Sequence, residues 1–131
     1  MKNIAEILTN ERTKNQIKNA ILLVLKQYGV STSIESEREG RKGEYYYIET
    51  KDISMSPQVF SKLYCSITLS VCSEEDNVHD VYASIDWKWE QFNGGCNGAF
   101  LCGIRFSVYE HGNISLINIL PSIGSTWKCF I

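Results

Sequence analysis

The chain has few of the features that would identify a chemistry or a compartment directly. Of its 131 residues only two are prolines, and the longest uninterrupted apolar run is the six residues from Ala20 to Leu25. That run is far shorter than the ~20 apolar residues that a membrane-spanning helix needs. The beginning of the chain lacks the apolar core of a signal peptide, because polar residues 9–12 interrupt it. We therefore expect no membrane association, no export and a cytoplasmic location.

An excess of one charge is also missing. The 13 Lys and Arg residues face 15 Asp and Glu residues, a net charge of −2, which provides no strong field to attract nucleic acid or an anionic membrane. Apolar residues make up 44% and charged residues 21% of the chain, as in ordinary globular domains, so we expect neither disorder nor a coiled coil. The length fits one domain spanning 1–131, with a core large enough to need no disulfide or metal.

Signatures of catalysis and metal binding are scarce as well. No phosphate-binding loop, zinc-protease motif or nucleophile elbow occurs, and neither His79 nor His111 has the paired spacing of a zinc site. Glycines around Cys96 could supply oxyanion donors, but the predicted strands place it far from both histidines. Without export, all five cysteines are interpreted as buried, reduced thiols: Cys65, Cys72, Cys96, Cys102 and Cys129. We predict no catalytic residue, metal or cofactor.

The first quarter of the sequence predicts helices. Asn3 followed by Glu6 forms a capping box. A longer helix is expected from about Glu11 to Tyr28, followed by Gly29 as its left-handed C-terminal residue. Its apolar stripe widens over Leu22–Leu25, which predicts either a cover of more than one layer or a homodimer formed through this helix.

After residue 30 the apolar repeat shortens to about 2 residues, which predicts strands. Segments 30–36 and 44–50 flank a polar turn and predict a hairpin, and the alternation from Tyr64 to Leu120 predicts a four-stranded antiparallel meander. A sheet with one apolar face has to be covered, and the long helix is the obvious cover. The expected fold class is α+β, an N-terminal helix packed on one face of an antiparallel β-meander of about six strands.

Charge placement predicts how these strands pair. If one hairpin closes on the loop at 93–98, Asp86 lies directly opposite Arg105 and every apolar position meets another. The next hairpin then pairs Val108 with Ile117. Under this scheme five side chains of the strand after the loop point toward the core: Phe100, Cys102, Ile104, Phe106 and Val108.

The opposite face of the predicted sheet carries mixed charge and tyrosines, which suits protein recognition. Together with an acidic loop at 73–77 it supplies the candidate partner-binding residues: Tyr82, Asp86, Lys88, Arg105, Tyr109, Glu74, Glu75 and Asp76. An ordinary solvent-exposed face is the plain alternative. Nucleic acid is disfavoured, because Asp86 and Glu90 offset the positive charges of Lys88 and Arg105.

Two further clusters have both a plain and a functional interpretation. His79 and His111 fall at the end of the predicted sheet that carries several carboxylates, which form either a metal or acid/base site or a solvated loop end: Glu74, Glu75, Asp76, Asp80 and Glu110. Basic residues at the first hairpin turn are interpreted as a solvated tip: Arg38, Arg41 and Lys42.

Trp87 and Trp89 share the apolar face of one strand, where they either fill the core or, with Tyr28, line a ligand pocket between helix and sheet. The predicted outline is similar to that of cystatin-like and NTF2-like folds, which implies a pocket protein that binds or converts a small molecule. Our main expectation is a small non-enzymatic binding protein of the inhibitor, immunity or adaptor type that recognises a protein partner. The pocket protein is the alternative.

Overall fold

The computed structural model describes residues 1–54 and 59–121, which form two helices and one six-stranded sheet. The helices are α1 (Ile4–Ile7) and α2 (Glu11–Gln27). The strands are β1 (Ile34–Gly40), β2 (Tyr45–Thr50), β3 (Lys62–Glu75), β4 (Val78–Glu90), β5 (Cys96–Val108) and β6 (Ile114–Pro121). They lie side by side in sequence order, and each neighbouring pair is antiparallel. The predicted α+β fold is confirmed.

Local capping sets the ends of the two helices. The side chain of Asn3 accepts a hydrogen bond from the backbone N–H of Glu6 at 2.9 Å, and the Glu6 carboxylate accepts one from the backbone N–H of Asn3 at 3.2 Å. Asn10 likewise accepts hydrogen bonds from two backbone N–H groups in the first turn of α2. Tyr28 caps the other end, and Gly29 follows with a φ of 84°, where glycine meets no Cβ clash. Both helix predictions are confirmed. None of the described helices has the length and hydropathy needed to cross a lipid bilayer.

One hydrophobic core joins the helices to the inner face of the sheet. Its fully buried members come from α1, α2 and the four strands β2 to β5 and include the following: Ile4, Ile17, Ile21, Leu25, Ile48, Ile67, Ile85, Trp87, Ile104 and Phe106. Burying one such aliphatic side chain stabilises the fold by about 1.5–3 kcal/mol. Leu25 therefore belongs to the core, while Leu23 on the same helix is 62% exposed.

Polar contacts attach α2 to the turn between β5 and β6. The Thr13 hydroxyl donates a hydrogen bond to the carbonyl of Gly112 at 2.6 Å, and the backbone N–H of Ile114 donates one to the Gln16 side chain at 3.0 Å. Gly112 has a φ of 90°, and a Cβ at this position would collide with the Asn10 amide. Only glycine fits the backbone conformation and the space between this turn and the start of α2.

A second polar contact attaches α2 to the other edge of the sheet. Glu37 on β1 accepts hydrogen bonds from Lys18 Nζ and from the Tyr46 hydroxyl, each at 2.6 Å. Lys14 Nζ lies 3.6 Å from the same carboxylate. Burial acts to raise the pKa of Glu37, but the two hydrogen bonds and the lysine charges outweigh it, so this pKa lies below its usual value. Polar contacts thus attach α2 both to β1 and to the β5–β6 turn.

The pairing of β4 with β5 differs from the predicted register. Arg105 lies opposite Tyr82, and Asp86 lies opposite Phe100. The cause is a β-bulge beside Asp86, where Leu101 is an extra residue on β5. Leu101 is fully buried and Phe100 is 40% exposed, so the alternation reverses beyond the bulge. The predicted inward position of Phe100 and the Asp86–Arg105 pair are therefore wrong.

The hairpin from β5 to β6 is also shifted from its predicted pairing. Val108 lies opposite Ile114 rather than Ile117. Pairing thus begins immediately after the turn, and a second register irregularity follows within β6. At the other end of β5 the strand already starts at Cys96, so the predicted loop at 93–98 is shorter than expected.

The acidic segment after β3 is mostly strand rather than loop. Strand β3 continues through Glu75, and Glu74 lies opposite His79 on β4. Only Asp76 and Asn77 form the turn, and their φ values of 52° and 65° are those of a tight two-residue hairpin. The predicted loop at 73–77 is therefore corrected to a turn of two residues.

Candidate functional site on the outer face of the sheet

Both helices pack on one face of the sheet, and no described element covers the other, which we call the outer face. Its side chains alternate with the buried ones, and each is partly or fully exposed: Arg38, Tyr45, Tyr47, Tyr64, Ser66, Thr68, Ser70, Tyr82, Ser84, Asp86, Lys88, Arg105 and Ser107. Short hydroxyl side chains of β3 and β4 lie between the tyrosines of β2 and Tyr82. The face is polar and rich in tyrosine.

Four of the predicted partner-binding residues come together on this face. Tyr82, Asp86 and Lys88 follow one another along β4, and Arg105 lies opposite Tyr82 on β5. The Tyr82 ring lies over Gly103, because a Cβ there would collide with the tyrosine hydroxyl. The structure thus places an aromatic ring, a carboxylate and two cations on neighbouring strands.

The electrostatic partner of Arg105 is Asp80, with which its guanidinium forms an ion pair and hydrogen bonds. This hydrogen bond and the charge of Asp80 raise the pKa of Arg105. Asp86 has a different environment, since burial raises its pKa while the positive charge of Lys88 acts in the opposite direction. Asp80 and Asp86 both point to the outer face, so alternation alone could not distinguish them as partners of Arg105.

The other predicted partner-binding residues lie at one end of the sheet. Glu74, Glu75 and Asp76 are at the β3–β4 turn, and Tyr109 follows the end of β5. The Tyr109 ring stacks on His111 with centroids 5.8 Å apart. These four residues therefore lie at the end of the sheet, away from the central residues of the outer face.

A cleft of about 240 Å³ lies beside this turn. His79 lines it, is only 8% exposed, and has its Nε2 atom 3.5 Å from the Glu74 carboxylate. Glu6 and Glu110 contribute two more carboxylates to the lining. The predicted acid/imidazole cluster is thus assembled in part, although within residues 1–54 and 59–121 no group of three or more His, Cys, Asp or Glu is placed to hold a metal ion.

The residues predicted to line a pocket between helix and sheet are absent from the linings of three clefts formed by the described residues. Trp87 is fully buried, and Trp89 packs against Phe60 with ring centroids 6.0 Å apart. Burial, together with the neighbouring Cys102, raises the pKa of Tyr28. A pocket at these residues stays a prediction.

The cysteines in the described ranges are free thiols. Burial raises the pKa of Cys65 to about 12 and that of Cys102 to about 11, so both stay protonated at neutral pH. Cys72 and Cys96 are exposed, so the prediction that they are buried is wrong for these two. Cys96 pairs with Glu90 at one end of the β4–β5 ladder, and His79 pairs with Val108 at the other end. Cys129 lies outside the described residues.

Sequence reasoning did not assign a role to Tyr45 and Tyr47, which also lie on the outer face. Tyr46 between them is buried against the helices, so its two neighbours must point outward. The guanidinium of Arg38 lies over the Tyr47 ring, and Lys62 similarly lies over the ring of Tyr64 on β3. The three consecutive tyrosines were the signal in the sequence that this face carries aromatic rings. Neighbouring side chains of a strand point to opposite faces, so if Tyr46 is buried, Tyr45 and Tyr47 must lie on the outer face.

Comparison of the chain with models of known families, with curated proteins and with solved structures finds no match. Function is therefore inferred from the arrangement of its own side chains.

Proposed function

We propose that this chain is a non-enzymatic binding protein that recognises a protein partner through the outer face. The observation that carries the proposal is a six-stranded face without a described cover, on which Tyr82, Arg105 and Tyr47 are accessible. Tyrosine and arginine are enriched at the energetic centres of protein interfaces. A cytoplasmic inhibitor, immunity protein or adaptor would use its surface in this way.

The charges of the outer face support a protein partner. Asp86 and Lys88 alternate along β4, and Arg105 is paired with Asp80 on the adjacent strand. Interspersed charges of both signs favour a partner with a complementary pattern, because the wrong pattern would place like charges together. A nucleic acid would instead require a continuous positive surface.

A second candidate function is small-molecule binding, which the cleft at the β3–β4 turn favours over the predicted position near Tyr28. His79 Nε2 is buried there and has no hydrogen-bond partner among the residues of the described ranges. A cationic ligand would suit the carboxylates of Glu74 and Glu110. Ligands that raise the melting temperature of the wild type but not of a Glu74→Gln variant would support this role.

Self-association through α2 is the remaining part of the proposal. Leu23 is exposed and Leu22 is partly buried beside it, next to a shallow groove at the end of the helix. A dimeric mass in light scattering that Leu23→Glu reduces to the monomer would support a homodimer. A monomeric mass of the wild type at high concentration would exclude it.

Affinity capture with matched surface variants tests the main proposal. Tyr82→Ala, Asp86→Arg and Arg105→Glu should each lose the partner that the wild type retains, while circular dichroism and urea unfolding show an intact fold. Lys26→Glu, an exposed change on α2, is the control and should retain the partner. If all three outer-face variants retain each protein captured by the wild type, the outer face is not the recognition surface.

A further inference from the structure

At the β1–β2 end of the outer face two tyrosine rings stack on each other, and an arginine lies over each ring. The Arg38 guanidinium carbon lies 4.4 Å from the centroid of the Tyr47 ring, and the Arg41 guanidinium carbon lies 5.4 Å from that of Tyr45. The two rings stack with centroids 6.3 Å apart and an interplanar angle of 17°. Cations this close to an aromatic face are attracted by its negative potential. We call these four residues the arginine–tyrosine ladder.

Two uncommon backbone features hold the ladder in place. A Cβ at Gly40 would collide with Cε2 of Tyr47, so glycine allows the ring to lie against β1. Arg41 and Lys42 have φ values of 48° and 56°, in the left-handed region that residues other than glycine rarely adopt. The Asn3 side chain donates a hydrogen bond to the Lys42 carbonyl at 3.4 Å and so connects this turn to α1. The position of Arg41 over its ring is therefore built into the turn.

The two arginines of the ladder and the neighbouring Lys42 lack an acidic partner among the described residues. Over the described ranges, no carboxylate lies within ion-pair distance of Arg38, Arg41 or Lys42, in contrast to Arg105 with its partner Asp80. Both arginine side chains are exposed while their guanidinium groups lie over the rings, so their N–H donors are accessible to another molecule. Those donors match a carboxylate in a bidentate arrangement. Because the rings already order the arginine side chains, binding costs less side-chain entropy.

We propose that the arginine–tyrosine ladder binds the carboxylates of an acidic segment in the protein partner. This inference rests on the proposed function and names the partner chemistry for one part of the same face. A short acidic segment needs only the local cations of the ladder. A nucleic acid would also meet the nearby carboxylates of Glu44 and Glu49 and a chain of net charge −2, which disfavours a polyanion.

Fluorescence anisotropy with a labelled peptide of alternating glutamate and serine tests this inference, with a glutamine–serine peptide as the ligand control. We expect the full chain to bind only the glutamate peptide, and more weakly as salt is added. Arg38→Lys keeps the charge but loses the planar fork, and Tyr47→Leu loses the stacking ring. Each should weaken binding about fivefold. Arg12→Lys, on the exposed first turn of α2, makes the same chemical change away from the ladder and should have no effect.

Four outcomes would overturn the inference. The wild type could fail to bind the glutamate peptide at low salt, or the Arg38→Lys variant could bind it as tightly as the wild type does, so that charge alone accounts for the affinity. Tighter binding of a single-stranded oligonucleotide than of the peptide would assign the ladder to a different ligand. A captured partner that Arg38→Lys retains and Arg105→Glu loses would reject the ladder while leaving the proposed function intact.

Discussion

Replacing Tyr46 with phenylalanine should destabilise the fold by removing one hydrogen bond and nothing else. Tyr46 is only 7% exposed, and its hydroxyl donates to Glu37 at 2.6 Å. A hydrogen bond to a charged group contributes about 1.5–3 kcal/mol, but the Glu37 side chain is 22% exposed and water screens part of this. The expected loss in the free energy of unfolding is about 1–2 kcal/mol at neutral pH. The ring stays in place, so no cavity adds to the cost.

The pH dependence of this loss follows from the lowered pKa of Glu37. A carboxyl group whose folded pKa lies below its unfolded value of about 4.3 contributes stability above that pH and loses it as the pH falls through the folded pKa. Protonated Glu37 still accepts a hydrogen bond from Tyr46, but a neutral hydrogen bond is about half as strong. The difference between Tyr46→Phe and the wild type should therefore fall to about half in acid.

Urea unfolding at neutral pH and again below the folded pKa of Glu37 measures both effects, with an unchanged slope indicating that the folded surface is the same. Tyr47→Phe is the matched control, since its hydroxyl has no hydrogen bond in the described ranges, and its effect should stay within about 0.5 kcal/mol. Equal stability of Tyr46→Phe and wild type at neutral pH would refute the role assigned to Glu37. A loss that does not change with pH would refute its electrostatic origin.

Three other substitutions test the core, a helix cap and the outer face. Trp87→Ala removes a fully buried ring and should cost about 3–5 kcal/mol in urea unfolding, and a loss below about 1 kcal/mol would contradict its central position. Asn10→Ala should cost about 1 kcal/mol through loss of the α2 cap, whereas Asn15→Ala on the exposed side of α2 should have little effect; equal losses in thermal melts would reject the cap. Asp86→Asn should stabilise the protein at neutral pH, because the raised pKa of Asp86 means that its ionised form costs stability once the pH exceeds the folded value. The advantage should vanish in chemical unfolding below the unfolded pKa of about 3.9.

The elements that sequence patterns predicted correctly depend on neighbours along the chain. The capping box at Asn3 and the end of α2 at Gly29 involve residues three or four positions apart, so their chemistry is visible in a short window. The antiparallel meander after Tyr64 was also predicted correctly, because β3 and β4 alternate without interruption through their central part. The fold class followed from such local periodicities.

The strand registers and much of the candidate site depend on single irregular residues that alternation does not reveal. One extra residue, Leu101, reverses which face Phe100 occupies, and nothing in its side chain distinguishes a bulge from an ordinary core position. Charge complementarity selected Asp86 as the partner of Arg105, although Asp80 on the same strand and face satisfied the rule equally well. The arginine–tyrosine ladder depends on the left-handed backbone of Arg41 and Lys42, and neither position is a glycine that would have indicated it.

The contacts between α2 and the β5–β6 turn have a consequence for folding during synthesis. Thr13 and Gly112 are 99 positions apart in the sequence, and Gln16 and Ile114 are 98 positions apart. Each hairpin of the meander can close as soon as its second strand leaves the ribosome, but α2 emerges before all six strands and meets these contacts only after β5 has been synthesised. The apolar face of α2 therefore has an incomplete surface to pack against until these strands have been synthesised. Nascent chains that stop before Gly112 should be good chaperone clients, and release of the last strand should end that dependence.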